Sequence, residues 1–197
     1  MPTRLILIRH GLTDWNQKKR YCGFMDITLS KRGKEQAKKL QKKLKAENID
    51  RVYVSDRKRA IQTAKIIFKN KNIEEVSDLR EMHFGIFEGL TYKEILEEHP
   101  GIYRRWLRNP FSIDIPKAEN IKGFKKRTIE AIKKIIFVNK NKTIAVVSHG
   151  GTISVFINHI LKSKDFWKQI PEAASISIIE FNNHRARIKS LNDTTHL

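Results

Sequence analysis

Two histidines stand beside concentrated positive charge: Arg9-His10-Gly11 near the start of the chain, and His149-Gly150-Gly151 much later, with Ser55-Asp56-Arg57-Lys58-Arg59 between them. Arginine offers a planar fork that pairs bidentately with phosphate oxygens. Cations beside an imidazole also disfavour its protonated form, which keeps the ring neutral and nucleophilic near pH 7. Two histidines and at least two arginines therefore suit chemistry on a phosphate group, provided the three segments meet.

The elements that must bring them together are short. Leu5-Ile6-Leu7-Ile8, Val52-Tyr53-Val54-Ser55 and Thr143-Ile144-Ala145-Val146-Val147-Ser148 are apolar runs of the kind buried on both faces of a sheet. Each leads straight into one of the polar segments. Ser30 predicts the cap of a helix to about Lys45, with Ala37, Leu40 and Leu44 as its apolar stripe. Further helices are expected from about Arg59 to Phe68 (Ala60, Ala64 and Ile67 inward), Ile121 to Phe137 and Gly151 to Leu161. A weak strand is expected near Glu74 to Val76, and two late ones near Ser175 to Phe181 and Arg187 to Leu191. Strands alternating with helices imply a three-layer α/β/α sandwich with a mostly parallel central sheet. Ligands of such sheets bind beyond the carboxyl ends of the strands, where the three polar segments would lie.

Between Met82 and Asn120 the pattern loosens into a short helix near Thr91 to His99, an aromatic group (Tyr103, Trp106, Phe111) and prolines at 100, 110 and 116. A segment of this kind, about 82–120, reads as a lid inserted over the site, its aromatics forming a core more than stacking on substrate. The 197 residues suit one domain spanning 1–197, without repeats or linkers.

Composition limits the alternatives. Hydrophobic residues make up 40% and charged residues 31%, and no apolar run approaches the roughly 20 residues a membrane span requires. Four apolar residues before Arg9 form a strand and not a signal peptide, so a cytoplasmic location is expected. One cysteine, Cys22, gives neither a disulfide framework nor a metal-binding pair. The net charge of +19 attracts anions generally, but much of it is lysine on solvent faces, as at Lys31, Lys34, Lys38, Lys39, Lys42, Lys43 and Lys45. No specific nucleic-acid partner and no membrane partner is expected. A metal set of His10, His149, Asp14 and Glu81 lacks helical ligand spacing, and the arginines would repel a cation, so neither metal nor cofactor is expected.

The order and spacing of these and further residues resemble the histidine phosphatase superfamily, in the branch that includes cofactor-dependent phosphoglycerate mutase. The likeness runs through Arg9-His10-Gly11 with Thr13, Trp15 and Asn16, then Arg20, Gly23, Asp26, Leu29, Gly33, Gln36 and Ala37. It continues through Ser55-Asp56, Arg59-Ala60, Thr63-Ala64, Leu79-Arg80-Glu81, Phe84-Gly85, Glu88-Gly89 and Ser148-His149-Gly150-Gly151. The resemblance implies that His10 is the nucleophile and phosphohistidine carrier. It implies that Arg9, Arg59 and His149 hold the phosphoryl oxygens, with Asn16 adding a neutral hydrogen bond. Glu81 would protonate the leaving oxygen and later deprotonate water, which calls for a raised pKa. Cys22 and Gly23 sit where the family lines its substrate pocket, Cys22 as a pocket wall and not a reactive thiol, and Gly150 follows the second histidine.

Arg57, next to a matched position, is read as solvated more than catalytic. His83, His99, His159, His184 and His196 are read as surface or structural residues.

The resemblance favours a phosphatase acting on a small phosphomonoester. Gly150-Gly151-Thr152-Ile153, Phe84-Gly85-Ile86-Phe87-Glu88-Gly89 and the ending Leu191-Asn192-Asp193-Thr194-Thr195-His196-Leu197 look similar to alpha-ribazole phosphatases and metal-independent phosphoserine phosphatases. The alternatives are a phosphoglycerate mutase, in which a second hydroxyl takes the phosphoryl group, and a non-catalytic basic binding module. Leu12, Ser154 and Lys117-Ala118-Glu119-Asn120 depart from the family pattern and leave the leaving group and pathway open, as is the formation of a homodimer.

Overall fold

The computed structural model describes residues 1–110, 113–163, 165, 168–182 and 185–197. Phe111 and His184, singled out above, lie outside the described residues.

Six strands form one sheet: β1 (Thr3–Arg9), β2 (Arg51–Val54), β3 (Ile73–Glu75), β4 (Thr143–Ser148), β5 (Ile176–Asn182) and β6 (Arg185–Asp193), in the order β3-β2-β4-β1-β5-β6. The neighbours β3-β2, β2-β4 and β4-β1 are parallel; β5 runs antiparallel to both β1 and β6. Alternation along β1 splits the apolar run between two faces, as the two-residue period of a strand requires. Ile6 and Ile8 pack with Leu40, Ala60 and Ala64 from α2 (Lys31–Lys43) and α3 (Lys58–Ile67). Leu5 and Leu7 pack with Ile132, Ile135, Phe156 and Ile157 from α6 (Ile121–Val138) and α7 (Gly150–Leu161). Burial on both faces is why β1, β2 and β4 carry no polar alternation.

The stripe of α2 is fully inside: Ala37 and Leu40 have no exposed surface and Leu44 continues it in a short 3-10 turn. Leu40→Ala is expected to lower stability by about 2–5 kcal/mol, through lost burial and the cavity left behind. Urea denaturation would show it as a lower midpoint at unchanged slope.

Met82, Phe87, Ile95, Tyr103, Trp106 and Ile115 form a third apolar cluster with Ile121 and Phe124 of α6. Thr91 caps α4 (Tyr92–Glu98) with a reciprocal capping box. A second helix, α5 (Pro100–Arg108), follows where only prolines and aromatics stood out in the sequence. Pro100 opens that helix, a position where its missing N–H costs nothing. A four-residue turn of helix, α1 (Asp14–Gln17), is also set by a capping box, between Thr13 and Asn16. Helix α1 is too short to carry an apolar period, so local capping alone marks it.

Candidate active site

Arg9 ends β1, Ser55 follows β2 and His149 follows β4, so the carboxyl ends of three neighbouring parallel strands deliver the polar segments to one place. The loop after β1 is clamped from below. A Cβ on Gly11 would come within 2.5 Å of the Gly33 carbonyl oxygen, and one on Gly33 within 2.0 Å of the Leu12 carbonyl oxygen. Only glycines let α2 approach this closely. The Ser30 hydroxyl and the Gln36 side chain then hold the Leu12 backbone at 3.1 and 3.0 Å.

His10 is buried, and its Nδ1 lies 2.7 Å from the Gly11 carbonyl oxygen. A carbonyl only accepts, so Nδ1 carries the proton and Nε2 of the neutral ring carries the lone pair. The Arg59 Nε–H donates to that Nε2 at 3.3 Å. Burial first, then the Arg59 and Arg9 guanidinium groups, hold the imidazole well below its usual pKa, so the neutral ring persists into mildly acidic solution.

The His149 ring stands edge-on to His10, with ring centroids 5.2 Å apart. Its Nε2 lies 2.7 Å from the Ser55 hydroxyl, and its Nδ1 is buried with no hydrogen-bond partner among the described residues. Burial and the neighbouring cations push its pKa down as well.

Arg59 is almost wholly buried, and its remaining donors grip a loop. Nη1 donates to the Met25 carbonyl at 2.9 Å; Nη2 donates to those of Gly23 at 2.8 Å and Cys22 at 3.4 Å. Arg9 donates through Nη1 to the Pro171 carbonyl, and its buried Nε has no partner among the described residues. These partners are neutral carbonyls, and among the ion pairs of the described residues none engages either guanidinium, which leaves both able to meet an anion.

Glu81 completes the group. Its Oε1 accepts from the Met82 N–H at 2.9 Å and its Oε2 from the Gly151 N–H at 2.8 Å, the latter in the first turn of α7. Burial raises its pKa above the usual carboxylate value, against the pull of those two N–H groups and of Arg59 and Arg9. A Cβ on Gly151 would lie 2.4 Å from Glu81 Oε1. Gly151→Ala is therefore expected to displace the carboxylate and cost about 1–3 kcal/mol of stability. A thermal melt and the rate on an alkyl phosphate, expected to fall at least about tenfold, would check it.

The remaining expected residues lie around this cluster. Asn16 turns its Oδ1 onto the Thr13 N–H (3.1 Å) and hydroxyl (3.0 Å), so only its Nδ2 donors can serve a phosphoryl oxygen. Gly23 has no room for a side chain, since a Cβ would lie 1.9 Å from the Met82 carbonyl oxygen; Gly150 sits beside Arg9, 3.2 Å from Cβ position to Cζ. Burial pushes the Cys22 thiol up to about 11, which keeps it protonated and unreactive.

Arg57 is not the solvated residue expected from sequence. It is half-buried over the Phe24 ring at 5.2 Å and donates to the Phe24 carbonyl at 3.0 Å. His83 meets the same ring edge-on at 4.9 Å, and His196 approaches the Ala174 carbonyl at 3.0 Å. His99 stacks obliquely on Phe87, and His159 lies in the last turn of α7.

Four supporting residues escaped the assignment of roles. Ser55 orients His149, and Thr63 ties the Gly11 N–H (3.1 Å) to the Arg59 carbonyl (2.7 Å). Glu88 gathers the N–H groups of Gly23, Phe24 and Phe84. Arg127, paired with Glu119, donates to the carbonyls of Asp78, Arg80 and Glu81. Ser55, Thr63 and Glu88 were visible as matched positions; nothing in the sequence spacing marks Arg127.

Residues 5–194 match the histidine phosphatase superfamily (branch 1), and the chain belongs to that family. It is a phosphatase of the metal-independent, histidine-using kind. It is 33% identical to phosphoserine phosphatase 1 of Hydrogenobacter thermophilus, over 98% of this chain and 94% of that protein. The solved phosphoserine phosphatase of Entamoeba histolytica, in complex with 3-phosphoglyceric acid, superposes with a TM-score of 0.89 at 30% identity, covering 99% of each chain. The alpha-ribazole phosphatase of Shigella flexneri gives 0.88 at 28% identity, over 97% of this chain and 96% of that one. Among the described residues, no group of three or more His, Cys, Asp or Glu could hold a metal ion, and no helix is long and apolar enough to cross a membrane.

Proposed function

We propose that the chain hydrolyses a small phosphomonoester with His10 as nucleophile and Glu81 as the proton-transfer group. The observation that carries this is the state of His10: a buried ring, its Nδ1 proton committed to Gly11 and its Nε2 lone pair beside the Arg59 and Arg9 guanidinium groups.

In the proposed first step Nε2 attacks phosphorus and the bond from phosphorus to the leaving oxygen breaks. That oxygen takes the Glu81 proton. Arg59 Nε–H holds the lone pair in the resting site, so it must turn onto a phosphoryl oxygen as attack begins. The partnerless Arg9 Nε–H and His149 Nδ1 are further donors suited to those oxygens. Ser55, by donating its hydroxyl proton to Nε2 of neutral His149, would keep a proton on Nδ1. In the second step the Glu81 carboxylate takes a proton from water, which attacks phosphorus and releases His10. Asn16 Nδ2 is proposed as a further donor. Gly150, Gly23 and Cys22 are proposed as walls, and residues 82–120 as the lid.

The substrate class proposed is a soluble phosphorylated metabolite, such as those named for the related phosphatases. With it we extend the proposal to a cytoplasmic location and a homodimer, which fractionation and light scattering test. Phosphate release from p-nitrophenyl phosphate in excess chelator tests the reaction class. Release undiminished by chelator supports the reading; release that requires added metal overturns it. Phosphoserine, alpha-ribazole phosphate and the phosphoglycerates then compete as substrates, and a phosphoglycerate isomerised without phosphate release would mark a mutase.

A further inference from the structure

At the opposite end of the sheet lies a cleft of about 930 Å3, lined by residues of β1, α6, α7, β5 and β6. Thr3 and Asn141, which line it, are hydrogen-bonded at 2.9 Å where β1 begins, whereas His10 and His149 follow the other ends of their strands. The two sites therefore cannot share a ligand of metabolite size.

The cleft combines an apolar floor with a cationic rim. Phe156, Ile160 and Phe181 contribute to the floor. Lys133, Lys134 and Lys140 line it as well, and no acidic side chain does among the described residues, although the chain has 21. Phe137 is 68% exposed at its edge, with the Lys140 ammonium 4.8 Å from the ring centre. The His159 imidazole is held below its usual pKa, by burial first and then by Lys133 and Lys125, which reports the positive potential there.

We propose that this cleft binds an amphipathic organic anion, an acyl or aryl body carrying a carboxylate, sulfonate or phosphate head. The volume lies within the roughly 300–1,000 Å3 usual for ligand pockets. An apolar body would cover the floor and Phe137, and the head would meet the lysines. A second copy of the chain fits poorly, because a two-fold contact here would set lysines of like charge face to face.

The probe is 8-anilinonaphthalene-1-sulfonate, followed by fluorescence, with dodecanoate as competitor. One saturable site is expected, displaced by dodecanoate, retained in His10→Ala and unaffected by inorganic phosphate at concentrations that inhibit phosphate release. Lys133→Glu with Lys140→Glu is expected to weaken binding about tenfold or more. Lys42→Glu with Lys45→Glu, the same charge change in the last turn of α2 and the 3-10 turn after it, is expected to leave it within about twofold. Ala186→Trp, which narrows the cleft without changing charge, is expected to abolish it.

Equal weakening by both lysine pairs would reduce the effect to general electrostatics and overturn the proposal. So would displacement by phosphate, loss with His10→Ala, or no saturable binding. Association only with phosphatidylglycerol vesicles, or a dimer that dissociates in the Lys133 and Lys140 variant, would replace the ligand by a membrane or a second copy and also overturn it.

Discussion

His10→Ala is expected to lower phosphate release by at least about 10⁴-fold on every substrate, because both chemical steps pass through Nε2. Removing a group that merely holds the phosphoryl oxygens costs less, about 10²–10³, which is the expectation for His149→Ala. An isotopic label separates the two roles. Wild type quenched during turnover of a labelled phosphomonoester should carry protein-bound phosphate that acid releases and alkali spares, as a phosphoramidate does. His10→Ala should carry none. His149→Ala should still become labelled, more slowly. The ring's hydrogen bonds reach only the Gly11 carbonyl and Arg59 among the described residues, so the alanine variant should remain folded by circular dichroism. Release within tenfold of wild type in His10→Ala would sink the mechanism.

Glu81→Gln should divide substrates by their leaving group. An alkoxide needs a proton as it departs, and a positioned general acid contributes about 10²–10⁴ to such a step. A nitrophenolate leaves without one. The variant should therefore lose about 10²–10⁴ of kcat/KM on an alkyl phosphate and far less on p-nitrophenyl phosphate, which also shows that the site is intact.

The pH profile follows from the two shifts. The free enzyme must hold His10 neutral and Glu81 protonated. As pH falls through the lowered His10 pKa, Nε2 gains a proton and the rate drops. As pH rises through the raised Glu81 pKa, the proton for the leaving oxygen is lost and the rate drops again. For alkyl phosphates kcat/KM should thus fall on both sides of an optimum that lies between the two pKa values, and its alkaline limb should vanish in Glu81→Gln. An alkaline limb that persists in the variant would remove Glu81 from the role.

The structure also explains which readings from sequence were available. The strands were legible because burial on both faces demands unbroken apolar runs, as in Leu5 to Ile8 and Thr143 to Val147. Helices α2 and α3 were legible from their stripes, and the residues that end each strand were legible by adjacency. Helix α5 was not, since Pro100 reads as a breaker until its place at the first helical position is known. Arg57 was misread because solvation depends on Phe24, a neighbour 33 positions away whose approach no local pattern encodes.

Sequence by itself determined the sheet, its flanking helices and the family, because periodicity and motif order are properties of the chain read in line. Only the tertiary structure decided which nitrogen of His10 bears the lone pair, that Arg59 divides its donors between that nitrogen and the loop at 22–25, and that Gly151 rather than a side chain steadies Glu81. The cleft behind α6 and α7 belongs to the same class, assembled from residues 1 to 186. The physical reason is common to all of them. A hydrogen bond or a pKa shift depends on distances of a few ångströms and on exclusion of water, which exist only once remote segments have packed.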